Sequence, residues 1–360
     1  MSAPDAADVA ARLALLRDAL AQAGTDAGAL RLRGADWLAW ATAGAAMEPG
    51  AQAGAELLVT ADEACILTDE ADAPRLRAAL VQGEGVAGPF TFHIAPWAEP
   101  ELNDTYALGA AGGRAVLSDV PQRAGELALP AQLATLLRVR RAVLRTADQE
   151  RYRALGRDAA VAVGEALRAA RPDWSDHELA GACAHALWRR GIEPVLLLAA
   201  CEPRGKRAQL AVSARRHGLH AHLVRSVAFG PLTDDERSVQ QALLQLEATG
   251  LDAVRPGQSL AAVYHALDAG YRHANQPDAI RAGRQGGVTG YAVHELVATP
   301  STATGIEAGM AIALQPGFAG ARAGDTFLLG AQGLENLTVD PNWPVQTIAG
   351  RARPVWLEVT

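Results

Sequence analysis

Two histidine settings in this chain have side chains suited to chemistry. His294 stands next to Glu295 in "GGVTGYAVHELVATP", and His220 and His222 lie two apart in "RRHGLHAHLVRS". A histidine within reach of a carboxylate is a common general acid–base pair. On a strand, however, neighbours point to opposite faces, so Glu295 is a poor orienter of His294, while His220 and His222 share a face. Together with His294 those two are a possible ligand set for one zinc ion. The competing expectation is a polar pocket wall. Gln315, in "AGMAIALQPG", places a neutral amide between an apolar strand and Pro316-Gly317, where a catalytic pocket more usually has a carboxylate. Arg284, just before the glycine pair Gly286-Gly287, is placed either to anchor a carboxylate or to lie on an exposed loop. Nucleophile signals are thin. No G-x-S-x-G elbow is present, and Cys201 ends the apolar run "PVLLLAAC" and reads as a core thiol. "RQGGVTG" lacks the Lys-Ser/Thr of a phosphate-binding loop.

The elements that must hold these residues follow from periodicity and punctuation. In the first part, "VAARLALLRDALAQAG" has helical spacing and stops at Gly24. "AGALRLRG" and "RAVLSDV" read as strands. "AELLVTADEACILTDE" reads as a hairpin turning at Ala61 to Glu63, and "APRLRAALVQG" as a short helix. This is a small α/β domain ending at residue 136. In the second part, capping boxes at Thr146/Gln149, Ser175/Glu178 and Thr233/Glu236 start helices, and Ser259 leads another. Arg171-Pro172 with Ser175 recurs as Arg255-Pro256 with Ser259 at the same internal spacing. The order helix, Arg-Pro, Ser, helix and then strands predicts an internally duplicated α+β unit over 137–360. It has pseudo-two-fold symmetry and helices on one face of an antiparallel sheet.

Bulk properties exclude several classes. The 360 residues are 49% hydrophobic and 20% charged, with a formal net charge of -7 and acidic and basic residues interspersed. No basic stripe suggests a nucleic-acid partner. No run reaches the roughly 20 apolar residues of a membrane span, and the charged N-terminus lacks a signal-peptide core. Three dispersed cysteines, Cys65, Cys183 and Cys201, predict reduced, buried thiols and a cytoplasmic protein.

Four stretches, in order, resemble the pita-bread metallopeptidase family, which includes methionine aminopeptidase, aminopeptidase P, prolidase and creatinase. "LAVSARRHGLHAHLVRSVAFG" matches the hairpin that carries the family's two aspartates. Anchored on Arg225, it puts His222 at the second aspartate and Ala211 at the first. "GGVTGYAVHELVATP" matches the G-H-G-x-G stretch: Gly290, His294, Glu295 and Pro300 fit, and Gly287 stands at the first histidine. "GMAIALQPG" carries Gln315 at the glutamate of Glu-Pro-Gly. "GARAGDTFLLGAQGLENLT" carries Gly324 at the glutamate of Glu-Asp-Thr, while Asp325, Thr326, Leu337 and Thr338 remain. The resemblance covers most of 137–350 and implies a pita-bread domain behind a creatinase/prolidase-type N-terminal domain over 1–136.

The family's two-metal site uses two aspartates, one histidine and two glutamates to activate water. Here the five positions read Ala211, His222, Gly287, Gln315 and Gly324, and none is a carboxylate. The resemblance with these substitutions implies a protein without the dinuclear site and without a cofactor, non-catalytic. Its pocket of His222, Arg284, Tyr291, His294 and Gln315 binds a peptide or a small amide-like molecule. Non-catalytic relatives serve as peptide- or protein-binding modules. The alternatives are a metal-independent creatinase-like amidinohydrolase or amidohydrolase working through His294, and an Xaa-Pro peptidase with an atypical metal site. The resemblance also implies a homodimer.

Overall fold

Side-chain caps start the helices of the second half where the sequence puts them, with one exception. Ser175 and Glu178 exchange bonds at the start of Asp176–Trp188, and Thr233 and Glu236 do so at Asp234–Asp252. The Ser259 hydroxyl accepts from the Ala262 amide ahead of Leu260–His273. The exception is the helix Thr146–Ala169. Its cap residue is Arg145, whose amide donates to Asp148 at 3.4 Å, and Gln149 instead donates to the Leu144 carbonyl at 2.9 Å. The Thr146/Gln149 box does not form because the helix begins one residue too early for it.

The computed structural model describes residues 6–24, 26–46, 54–80, 89–202 and 206–359. It divides into two units, Met1–Arg141 and Ala142–Thr360, and the helix Ala131–Ala142 runs through residue 136. The first unit is an α/β layer. Its six-stranded mixed sheet has Ala27–Leu32 and Glu56–Val59 near the centre, and the hairpin Glu56–Val59/Ala64–Asp69 is antiparallel as read. Strands Thr91–Ala95 and Glu126–Ala128 close its edges. The predicted helix at "APRLRAALVQG" is Ala73–Leu80, and its last three residues lie outside the described set.

In the second unit the duplicated helix pairs are present, Thr146–Ala169 with Asp176–Trp188 and Asp234–Asp252 with Leu260–His273. The single expected sheet is divided. One four-stranded sheet orders Leu357–Val359, Leu219–Phe229, Arg207–Arg216 and Glu193–Cys201, its first pair parallel. One five-stranded antiparallel sheet orders Leu296–Val297, Gly286–Thr289, Ala311–Leu314, Asp325–Gly330 and Gly333–Asn336. Hydrogen bonds join the two where sequence patterning could not show it. The His222 amide donates to Thr326 Oγ1 at 2.8 Å, that hydroxyl donates to the His222 carbonyl at 2.9 Å, and the Val224 amide donates to the Gly324 carbonyl at 2.9 Å.

Beside this seam lies a buried ion network. Asp325 pairs with Arg225 and Arg353, each at 2.8 Å, and accepts from the Thr338 hydroxyl. Arg353 also pairs with Glu247, and its guanidinium lies over the Phe327 ring. All four charged side chains are at most 3% exposed. Arg225, Asp325 and Thr338 all belong to stretches that carry the family resemblance, and they meet beside the seam.

Candidate functional site

The hairpin Arg207–Arg216/Leu219–Phe229 and the strand Gly286–Thr289 bring His222 against Thr289. His222 Nε2 lies 3.1 Å from Thr289 Oγ1 and 3.2 Å from the Val293 carbonyl. A carbonyl only accepts, so Nε2 carries the proton, an assignment that rests on the hydrogen-bond network. Burial, followed by the nearby His294, pushes the His222 imidazole down to about 4. The ring is therefore neutral at physiological pH. His294 is stacked parallel to it, ring centroids 6.1 Å apart, and its own pKa is lowered by partial burial and by Arg284.

These side chains line one cavity of about 70 Å³, together with Arg284, Gly286, Gly287, Ala313 and Gln315. Of the five pocket residues expected from sequence, His222, Arg284, His294 and Gln315 meet there. Tyr291 does not. It is buried and its hydroxyl donates to Asp148 at 2.7 Å, which turns it into the packing beneath the helix Thr146–Ala169. Glu295 is buried as well and accepts from the Ala292 amide at 2.9 Å; it and His294 lie in the turn ahead of the strand Leu296–Val297 rather than on a strand, so the expected alternation of faces does not apply to them. Thr289, Val293 and Ala313 were not singled out by sequence. Thr289 and Ala313 stand two positions from Gly287 and Gln315, a period-two signal that could have found them.

The metal-ligand positions fare differently from one another. His222, Gly287 and Gln315 line the cavity. Ala211 pairs with Val224, and the residue across from His222 is Ser213, because the hairpin turns through His217-Gly218. At Gly324 a Cβ would meet the Leu314 carbonyl and Val224 at 3.1 Å and Gln315 at 3.3 Å, a tight fit. At Gly287 a Cβ would lie 2.1 Å from the Leu296 carbonyl oxygen. The paired strand Leu296–Val297 thus occupies the space of any side chain there.

A pair of divalent cations does not fit this donor set. The cavity offers one neutral imidazole on its floor, a second at its mouth, and one amide, with a guanidinium beside them and no carboxylate. Nothing offsets the repulsion between two such ions. Among the described residues, no group of three or more His, Cys, Asp or Glu side chains could hold a metal ion. His220 does not join His222 in the cavity, so the three-histidine zinc set is not assembled. Cys201 is half-buried at the end of its strand, more open than expected. Burial, then Asp176, raises its thiol to about 11, so it is no thiolate nucleophile at neutral pH.

Residues 204–332 match the model of metallopeptidase family M24. That match spans about a third of the chain. No curated protein matches it. Among solved structures, the fold resembles that of an Xaa-Pro dipeptidase from Bacillus anthracis. That match has TM-score 0.76 and 14% identity, over 98% of this chain and 100% of the other. Dipeptidase PepE from Mycobacterium ulcerans gives TM-score 0.76 and 19% identity, over 99% and 100%. The N-terminal domain of FACT complex subunit SPT16 from Cicer arietinum gives 0.65 and 12%, over 93% and 97%. At such identities the likeness is one of fold. It extends through both units, so the first unit is the N-terminal domain of the same architecture. No helix among the described residues is long and apolar enough to cross a membrane.

The buried His222 couples stability to pH. In the unfolded chain a histidine takes its proton near 6.5, whereas in the fold this one does so only at about 4. As pH falls between those values the unfolded state binds a proton that the folded state refuses, so stability falls. It is full above the window and levels off below it. The share of His222 is on the order of 3 kcal/mol. His222→Asn is expected to flatten that part of the profile, measured as the difference between wild type and variant in urea unfolding at neutral pH and at mildly acidic pH. An equal slope in both proteins would remove His222 as its source.

Proposed function

We propose that this protein is a metallopeptidase-fold binding protein that has lost the dinuclear site, is non-catalytic, and holds a peptide or small amide-like ligand in the cavity of His222, Arg284, His294 and Gln315. One observation carries the proposal: the cavity contains no carboxylate, and the backbone of Leu296 closes off the side-chain space at Gly287. Water activation by paired metals needs anionic oxygens to hold the ions and a histidine where Gly287 stands. The proposal is strengthened by the neutrality of the two groups that replaced former ligands. Gln315 keeps the length and hydrogen-bonding capacity of a glutamate, and His222 is held uncharged by burial.

A metal-independent hydrolase would need His294 oriented as a base. Among the described residues no hydrogen bond or ion pair fixes the His294 side chain, and Glu295 faces elsewhere. The test is turnover of Xaa-Pro dipeptides with manganese or cobalt added, and again with chelator. No cleavage above background is expected in either condition. Metal-dependent cleavage would restore a peptidase, and chelator-resistant cleavage abolished by His294→Ala would establish a metal-free hydrolase.

A further inference from the structure

The polarity of the cavity narrows its ligand. Arg284 and His294 are exposed at its mouth, and His222, Thr289, Gly287 and Ala313 are buried around it. His222 and Thr289 are engaged with each other and with carbonyls at Val293 and His220. In contrast, no hydrogen bond or ion pair within the described residues engages the side chains of Arg284, His294 or Gln315. Three polar side chains therefore meet at one small cavity with their hydrogen-bonding capacity unspent. The guanidinium only donates, and the imidazole and the amide each have a donor to give. An occupant that accepts from all three is rich in acceptor oxygen and negatively charged.

We propose that this cavity binds a carboxylate, with the carboxylate group inside it and the rest of the ligand directed outward past Arg284 and His294. This deepens the proposed function and rests on it. The size agrees. A volume of about 70 Å³ holds a group of a few heavy atoms, given that one water takes roughly 30 Å³ in the liquid. The charge agrees as well. One guanidinium matches one negative charge, and its planar fork fits the two oxygens of a carboxylate. A phosphate dianion would need further cationic donors, and the cavity wall has none. An ammonium or guanidino group would face Arg284 with no acid to receive it. The site has thus inverted its electrostatic preference, from a cation-holding cluster of acids to an anion-holding cluster of donors. The carboxylate can come from a free short-chain acid or from the C-terminus of a peptide.

Titrations of the full chain followed by NMR of the histidine and arginine side chains test this, using acetate, acetamide, glycylglycine, glycylglycinamide and inorganic phosphate. Both carboxylates are expected to shift the His294 and Arg284 signals saturably, and both amides to bind at least tenfold more weakly. Tighter binding of glycylglycine than of acetate identifies a peptide C-terminus, and the reverse a free acid. Arg284→Gln is expected to weaken carboxylate binding at least tenfold. Gln315→Glu, which sets a carboxylate against the ligand, is expected to do the same without loss of thermal stability. Equal binding of the amides or of phosphate, indifference to both substitutions, or no saturable shift with either acid would overturn the inference. Tight binding of the amides alone would leave the non-catalytic binding role standing, while metal-dependent turnover would remove that role whatever the titrations show.

Discussion

Asp325→Ala is expected to lower the free energy of unfolding by roughly 3–5 kcal/mol. Asp325 is 1% exposed and is bonded by Arg225, Arg353 and the Thr338 hydroxyl. Removing it leaves two guanidinium groups close together without the anion they share, and Glu247 alone does not balance both. The loss should appear as a lower denaturation midpoint with an unchanged slope, the signature of altered stability rather than altered compactness. Arg153→Ala supplies the contrast. Its pair with Glu335 is 2.9 Å long but exposed on both sides, and such pairs are worth no more than about 1 kcal/mol. If the two substitutions cost the same, the buried network is not what holds the seam between the sheets.

The second large effect concerns Gly287, which the resemblance aligns with the family's first histidine. Gly287→Ala adds a single carbon 2.1 Å from the Leu296 carbonyl oxygen, and a backbone atom cannot swing aside as the end of a side chain can. The strand Leu296–Val297 would have to part from Gly286–Thr289, and the cost expected is about 3 kcal/mol or more. Gly324→Ala meets its nearest neighbours at 3.1 Å and is expected to cost about 1 kcal/mol, because Val224 and Gln315 can give slightly. The ratio between the two is measured by thermal or urea unfolding. A well-tolerated alanine at 287 would mean that the space for a ligand histidine still exists, and the argument against a restorable metal site would fail with it.

Much of this was legible before any coordinates. The helix pairs declared themselves through Ser175, Thr233 and Ser259, since caps depend on local chemistry that a sequence prints directly. Gln315, His222 and Gly287 were placed by motif spacing, and the cavity they share is consistent with that placement. What the sequence hid was long-range. Tyr291 sits within the motif, yet its hydroxyl is drawn to Asp148, far away in the chain. The hairpin turn at His217-Gly218 was readable from the sequence, and it pairs His222 with Ser213 and Ala211 with Val224. The joining of the two sheets depends on side-chain and amide bonds at Thr326 and Gly324 that no periodicity reports.

On the proposed reading, a neutral amide also suits residue 315. A glutamate there would repel an anionic ligand and draw Arg284 at the cavity mouth to itself. The amide can donate as well as accept, which is the property the proposed ligand requires.

The measurement that bears most directly on the central claim is elemental analysis of the full chain, purified without chelator and then equilibrated with manganese, cobalt or zinc before excess ion is removed. Far less than one equivalent per chain is the expected result. Close to two equivalents retained by the protein would contradict the account.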